Sequence, residues 1–185
     1  MAITARRLTI EDLQLLSEEH EGDRQELIDG ELVVTPVPII RHQVISMNLT
    51  RALDHHVRPR NLGMIFYAPT GVRFSRHDLL IPDICFVSLA RLGILGEKFI
   101  EGAPDLVIEI LSPGTRRRDL TTKRELYARF GVREYWPVDP DKRTVEVLAL
   151  VGDGYQPLPV WEDGSLQSRV LPDLRLTLED VFEGI

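Results

Sequence analysis

The six residues Leu106-Val107-Ile108-Glu109-Ile110-Leu111 constrain the fold more than any other stretch of the chain. Five are aliphatic, and the run is too short for a buried helix, so it reads as a β-strand covered on both faces. A glutamate in the middle of such a strand is an anomaly. Burying an unpaired carboxylate costs on the order of several kcal/mol, so the fold must supply a metal, a cation or a raised pKa. The alternative is an edge strand whose Glu109 faces water.

Asp83 repeats the problem within Leu79-Leu80-Ile81-Pro82-Asp83-Ile84-Cys85-Phe86-Val87, where it is the only acid. Pro82 fits a strand end or bulge there, because proline brings no N–H to a ladder. Taken alone, Pro82-Asp83 is also compatible with a simple turn. The two acids lie twenty-six positions apart, a spacing that suits neighbouring strands joined by a loop and a short helical turn.

Lys123 is the third anomaly. Ser112-Pro113-Gly114-Thr115 closes the strand, and a helix is expected from about Arg117 to Phe130, with Gly131 as its stop. On that helix Leu120, Lys123, Tyr127 and Phe130 share one face, so Lys123 occupies the stripe that packs on the sheet. A lysine snorkelling along an apolar face is the simpler alternative. Together the three residues describe an ammonium reaching two carboxylates around a divalent cation. Oxygen ligands suit Mg²⁺ or Mn²⁺. One cysteine and five dispersed histidines give no zinc spacing.

Such a grouping is suited to phosphodiester hydrolysis, in which the cation polarises a phosphoryl oxygen and the lysine offsets developing charge. The formal net charge of −7 argues mildly against a generic nucleic-acid binder. Its distribution is less adverse, since Arg116, Arg117, Arg118, Lys123, Arg124, Arg129 and Arg133 place seven of 22 basic residues between positions 116 and 133. Arg116, Arg117, Arg118 and Arg124 are the candidate phosphate contacts; the alternative is a solvated helix face.

The rest of the chain supplies α/β organisation. Thr9 caps a short helix that fades into the charged run Glu18 to Asp23, and Asp29-Gly30 between Glu26-Leu27-Ile28 and Glu31-Leu32-Val33-Val34 signals a type I′ hairpin. A helix from Ile39 to Val57 should cover a sheet with Val44, Ile45, Leu49, Ala52 and Leu53, before Pro59 stops it. Strands are expected at Met64 to Ala68, Gly71 to Phe74, Leu79 to Val87 and Asp105 to Leu111. A meander of Arg133 to Val138, Thr144 to Leu150 and Tyr155 to Val160 follows, with Asp-Pro-Asp and Gly-Asp-Gly turns. A single domain over 1–185 is expected, with a core of about 24–150 and a β extension of about 151–185. Cys85, the lone cysteine, excludes a disulfide framework. The absence of an apolar leader or of ~20 consecutive apolar residues points to a cytoplasmic protein without a membrane span.

These residues resemble the Uma-type endonuclease family, placed in the PD-(D/E)xK, or restriction-endonuclease-like, superfamily. The resemblance runs through Glu26-Leu27-Ile28-Asp29-Gly30-Glu31, Arg41-His42, Pro82-Asp83, Val107 to Pro113, Lys123 to Tyr127, Gly131 to Trp136 and Val138-Asp139-Pro140, covering roughly residues 10 to 150. It implies a mixed β-sheet core flanked by helices, with an N-terminal hairpin and a C-terminal antiparallel meander. It also implies a Mg²⁺- or Mn²⁺-dependent endonuclease acting on nucleic acid, DNA or RNA, with DNA favoured. Asp83 and Glu109 are then the metal ligands, and Asp83, Glu109, Lys123 and Glu26 the catalytic set. Leu111 stands where the superfamily motif has lysine, and Lys123 matches the position to which this family moves it. Pro137 departs from the family's aliphatic residue, so an edge strand or a bulge is expected there. Other readings are a catalytically silent nuclease-fold module and a hydrolase of small phosphate esters. A homo-oligomer is compatible with the pairing surfaces near Pro137.

Overall fold

The computed structural model describes residues 7–16 and 24–185, apart from the Gln14 side chain. The charged run from Glu18 to Asp23 therefore lies outside the described residues. Helix α1 (Ile10–Leu16) opens on a capping box, with the Asp12 N–H donating to Thr9 Oγ1 and the Thr9 N–H donating to Asp12 Oδ2. Strands β1 (Arg24–Ile28) and β2 (Glu31–Thr35) form the expected hairpin, in which Asp29 (φ 49°) and Gly30 (φ 80°) take the two left-handed positions of the turn. Helix α2 (Ile40–Val57) follows.

The next strands are β3 (Gly63–Tyr67), β4 (Val72–Ser75), β5 (Asp78–Leu80) and β6 (Ile84–Ser88). The single strand expected over Leu79 to Val87 is thus two strands of different sheets. Ile81-Pro82-Asp83 forms the crossover between them, as a proline without a ladder donor favours. A 3₁₀ turn (Leu89–Ile94) and β7 (Ile100–Glu101) lead to β8 (Leu106–Ile110), the strand carrying Glu109. The meander consists of β9 (Glu134–Asp139), β10 (Thr144–Val145), β11 (Leu148–Val151) and β12 (Gly154–Pro157), and a short helix α4 (Leu178–Val181) lies near the C-terminus.

Two mixed sheets result. One has the order β2-β1-β5-β4-β7; the other has the order β12-β11-β9-β8-β6-β3, with β10 also on β9. In the second sheet β8 pairs antiparallel with β6 and parallel with β9. The parallel pair needs a crossover, and the helical segment 116–129 provides it. This segment, α3, is helical over the expected span but not regular, because Asp119–Lys123 forms a π turn inside it. The π turn rotates the buried face, so Asp119, Lys123, Leu126 and Tyr127 are buried while Leu120 and Phe130 are only half-buried.

Alternation along β8 sorts its side chains. Leu106, Ile108 and Ile110 join Ile45, Leu49 and Leu53 of α2, with Trp136 and Val138, in one apolar layer. Val107 points the other way, into a layer with Cys85, Val87, Leu126, Tyr127 and Tyr135. Glu109 shares the parity of Val107 and is 1 % exposed, so it faces α3 from a fully buried strand and not from a solvent edge.

β9 is also an inner strand, which corrects the edge expected at Pro137. All six of its residues are buried, and Pro137 lies opposite Glu109 in the parallel ladder. On the other side of β9 the ladder is interrupted opposite Pro137 without a change of register. Pairing there passes from β10 at Val138↔Val145 to β11 at Tyr135↔Leu148, with residues 146–147 between them. Among the described residues no helix is long and apolar enough to cross a membrane.

Candidate active site

The β5–β6 crossover joins the two sheets, and around it the anomalous residues meet. Asp83 immediately precedes β6, next to β8, and is 2 % exposed. Its Oδ2 accepts a hydrogen bond from the Ile110 N–H at 2.7 Å and lies 3.1 Å from His42 Nε2 of α2. Its Oδ1 accepts from Arg24 Nη1 at 2.6 Å. Burial alone would raise the Asp83 pKa, but the His42 contact, the Arg24 charge and the Ile110 N–H outweigh it and lower the pKa to about 2.

Glu109 Oε1 accepts two hydrogen bonds from α3, from Lys123 Nζ at 2.9 Å and from Tyr127 Oη at 2.6 Å. Burial dominates here and pushes the Glu109 carboxyl up to about 8, against the pull of Lys123. Lys123 itself is 1 % exposed. Burial lowers its pKa, yet Glu109, Glu26 and Asp119 together hold it above the usual lysine range, so the ammonium stays charged.

Glu26, on β1 of the other sheet, completes the lysine's environment. Its Oε1 accepts from Lys123 Nζ at 2.8 Å and from the Ile81 N–H at 2.8 Å, tying the β5–β6 crossover to the helix. Asp119 lies one π turn before Lys123, with Oδ1 3.8 Å from Nζ, and burial raises its pKa despite that cation. Arg24 shares a face of β1 with Glu26 and spans Asp83 and Glu109, since its Nη1 lies 2.6 Å from Asp83 Oδ1 and its Nη2 3.8 Å from Glu109 Oε2.

The four residues expected from the sequence, Asp83, Glu109, Lys123 and Glu26, are therefore brought together, and four more join them. In the sequence His42 stands at a helix start with its part in the site left open, and Tyr127 is a member of the apolar stripe. Arg24 lies just before the strand start expected at Glu26, and its period-two relation to that residue is the sequence signal for it. Asp119 was hidden by the π turn, which cannot be read from a 3.6-residue period.

Of the four candidate phosphate contacts, Arg116 is committed to Asp139 at 2.6 Å, and Arg124 reaches the Tyr155 carbonyl at 3.4 Å. Arg117 is exposed and Arg118 half-buried on the same helical segment.

Four carboxylates, Glu26, Asp83, Glu109 and Asp119, thus face two cations, Lys123 and Arg24. Glu26 Oε2, Glu109 Oε2 and Asp119 Oδ1 are buried and accept no hydrogen bond from the described residues. Each such atom costs about 1–3 kcal/mol if left unsatisfied. Surplus acid charge and unpartnered carboxylate oxygens fit a hard divalent cation. Among the described residues no three acidic, histidine or cysteine side chains already form a metal cage, and the Arg24 guanidinium lies between Asp83 and Glu109.

Comparison with known proteins agrees with this architecture. The profile of the Uma2 family, described as "Putative restriction endonuclease", matches residues 10–179. A solved structure, described as a putative nuclease belonging to DUF820 from Anabaena variabilis ATCC 29413, superposes with a TM-score of 0.70 at 24% identity. The match covers 85% of this chain and 89% of that one, and shows a shared fold. A search of curated proteins finds no match.

Proposed function

The chain belongs to the Uma2 family, and from that membership and its acid–lysine cluster we propose that it is a Mg²⁺- or Mn²⁺-dependent endonuclease acting on DNA. The observation that carries this reading is the surplus of buried carboxylate over cation, with three carboxylate oxygens that accept no hydrogen bond from the described residues. Asp83 and Glu109 would hold the metal, both projecting from the central sheet at neighbouring strands. When bound, a Mg²⁺ or Mn²⁺ ion supplies Lewis acidity toward a phosphoryl oxygen and makes water a better nucleophile at neutral pH.

The protein's own groups prepare the site. The Ile110 N–H and His42 keep Asp83 ionised and fix its rotamer. Tyr127 and Lys123 hold Glu109 Oε1, leaving Oε2 available. Lys123 would bring a permanent positive charge to the site, where low dielectric strengthens it. Glu26 anchors that ammonium, and Arg117 and Arg118 extend basic charge along the flanking phosphates.

The test is metal-dependent nicking of supercoiled plasmid, comparing wild type with Asp83→Ala and Lys123→Ala. Wild type should nick with Mg²⁺ or Mn²⁺ and not with EDTA, and each variant should lose activity by on the order of a hundredfold or more. Equal residual activity in all three proteins would rule out this site as the source. A second reading, a silent nuclease-fold module that binds nucleic acid or protein, draws on the guanidinium seated between the two strand acids. It requires that saturating Mn²⁺ leave the melting temperature unchanged, whereas an intact metal site gains several degrees.

A further inference from the structure

Building on the metal-dependent reading above, we propose that Arg24 is a resident cation for the Asp83–Glu109 pair, displaced when a divalent metal enters and then taken up by a substrate phosphate. Three observations carry it. The guanidinium lies where the two acids converge, 2.6 Å from Asp83 Oδ1 and 3.8 Å from Glu109 Oε2.

Its fit is loose. The longer approach exceeds hydrogen-bond range, and neither Glu109 Oε2 nor the buried Arg24 Nε has a hydrogen-bond partner among the described residues. Lys123, by contrast, donates at 2.8 and 2.9 Å to two carboxylates. A planar fork able to give two parallel hydrogen bonds to one carboxylate is here used well on one side only.

The third observation is access. The Arg24 side chain is 19 % exposed and that of Lys123 1 %, so of the two cations it is Arg24 that has a way out toward solvent. Lys123 is the permanent charge, enclosed by Glu26, Glu109 and Asp119, and Arg24 the exchangeable one.

Charge then dictates the sequence of events. Two cations cannot share the same pair of carboxylates without strong repulsion, so entry of a divalent ion expels the guanidinium. An arginine driven from two carboxylates remains tethered to β1 beside the site and needs another anion. The phosphodiester that the metal recruits is the anion within reach, and it matches the guanidinium fork.

The experiment measures Mn²⁺ binding by electron paramagnetic resonance, with no nucleic acid present, in wild type, Arg24→Gln, Arg24→Met and Arg24→Lys. Binding of a labelled DNA duplex in Ca²⁺ is followed by fluorescence anisotropy in the same four proteins. Both neutral variants should bind Mn²⁺ on the order of tenfold tighter than wild type, because a unit charge next to the ion is gone. Arg24→Lys should stay near wild type, since it keeps the charge. Duplex affinity should fall in the two neutral variants. Equal or weaker Mn²⁺ binding in both neutral variants overturns the displacement while leaving the metal site standing. An unchanged duplex affinity overturns the phosphate contact. Absence of Mn²⁺ binding in all four proteins overturns this inference together with the function on which it rests.

Discussion

Replacing Lys123 by methionine keeps most of the side-chain volume and removes the one ammonium that Glu26 and Glu109 share. Both acids are buried, at 0 and 1 % exposure, so water cannot take over the lost charge. Breaking a buried ion pair from one side costs roughly 3–5 kcal/mol. That is a large share of the roughly 5–15 kcal/mol that stabilises a typical domain. At about 2–4 °C per kcal/mol for a chain of this length, the melting temperature should fall by roughly 6–20 °C. The informative experiment is a double-mutant cycle, measured by urea denaturation with circular dichroism in EDTA at about pH 9, above the Glu109 carboxyl's value of about 8, so that Glu109 is ionised. Glu109→Gln removes surplus negative charge and keeps an oxygen near Tyr127 Oη, so it should cost little. The double variant should be more stable than the sum of its parts by at least about 1 kcal/mol, because the methionine no longer faces an unpaired glutamate. Additivity within about 0.5 kcal/mol would refute the electrostatic account of this core.

Two further expectations concern the same carboxylate. The Glu109 carboxyl is raised from 4.5 to about 8 in the folded protein, so the folded state binds this proton more tightly than the unfolded chain. Its contribution is complete below about pH 4.5 and is lost as pH rises through 8. The urea midpoint of the metal-free protein should decline across that window more steeply than in Glu109→Gln, and parallel profiles would contradict the assignment. Tyr127→Phe deletes the 2.6 Å hydrogen bond to Glu109 and should cost about 1.5–3 kcal/mol in the wild-type background. The same change in Glu109→Gln should cost less, and equal losses in the two backgrounds would show that the phenol acts elsewhere.

Much of the fold is legible locally. Asp29-Gly30 encodes its turn because only certain residues tolerate two consecutive left-handed conformations, and both adopt them. Gly131 (φ 82°) ends α3 for the same reason. The apolar run of β8 announces a doubly covered strand, which it is. The strand written across Pro82 is less legible, because a proline that breaks one strand and a proline that joins two sheets look alike in sequence. Pro137 misleads in the opposite direction. A missing N–H suggests an edge or a bulge, whereas the structure accommodates it at the break between β10 and β11.

The sequence alone determined that Glu109, Asp83 and Lys123 needed partners, since a charged residue inside an apolar pattern carries a desolvation penalty wherever the chain folds. Which partners they received was decided only in three dimensions. Arg24 meets Asp83 across 59 positions and Lys123 meets Glu26 across 97, through contacts between two sheets and a helix whose π turn no periodicity reveals. Local steric preferences act over a few residues and so are written in the order of the chain, but charge compensation depends on distance in space, and only the assembled sheets set it.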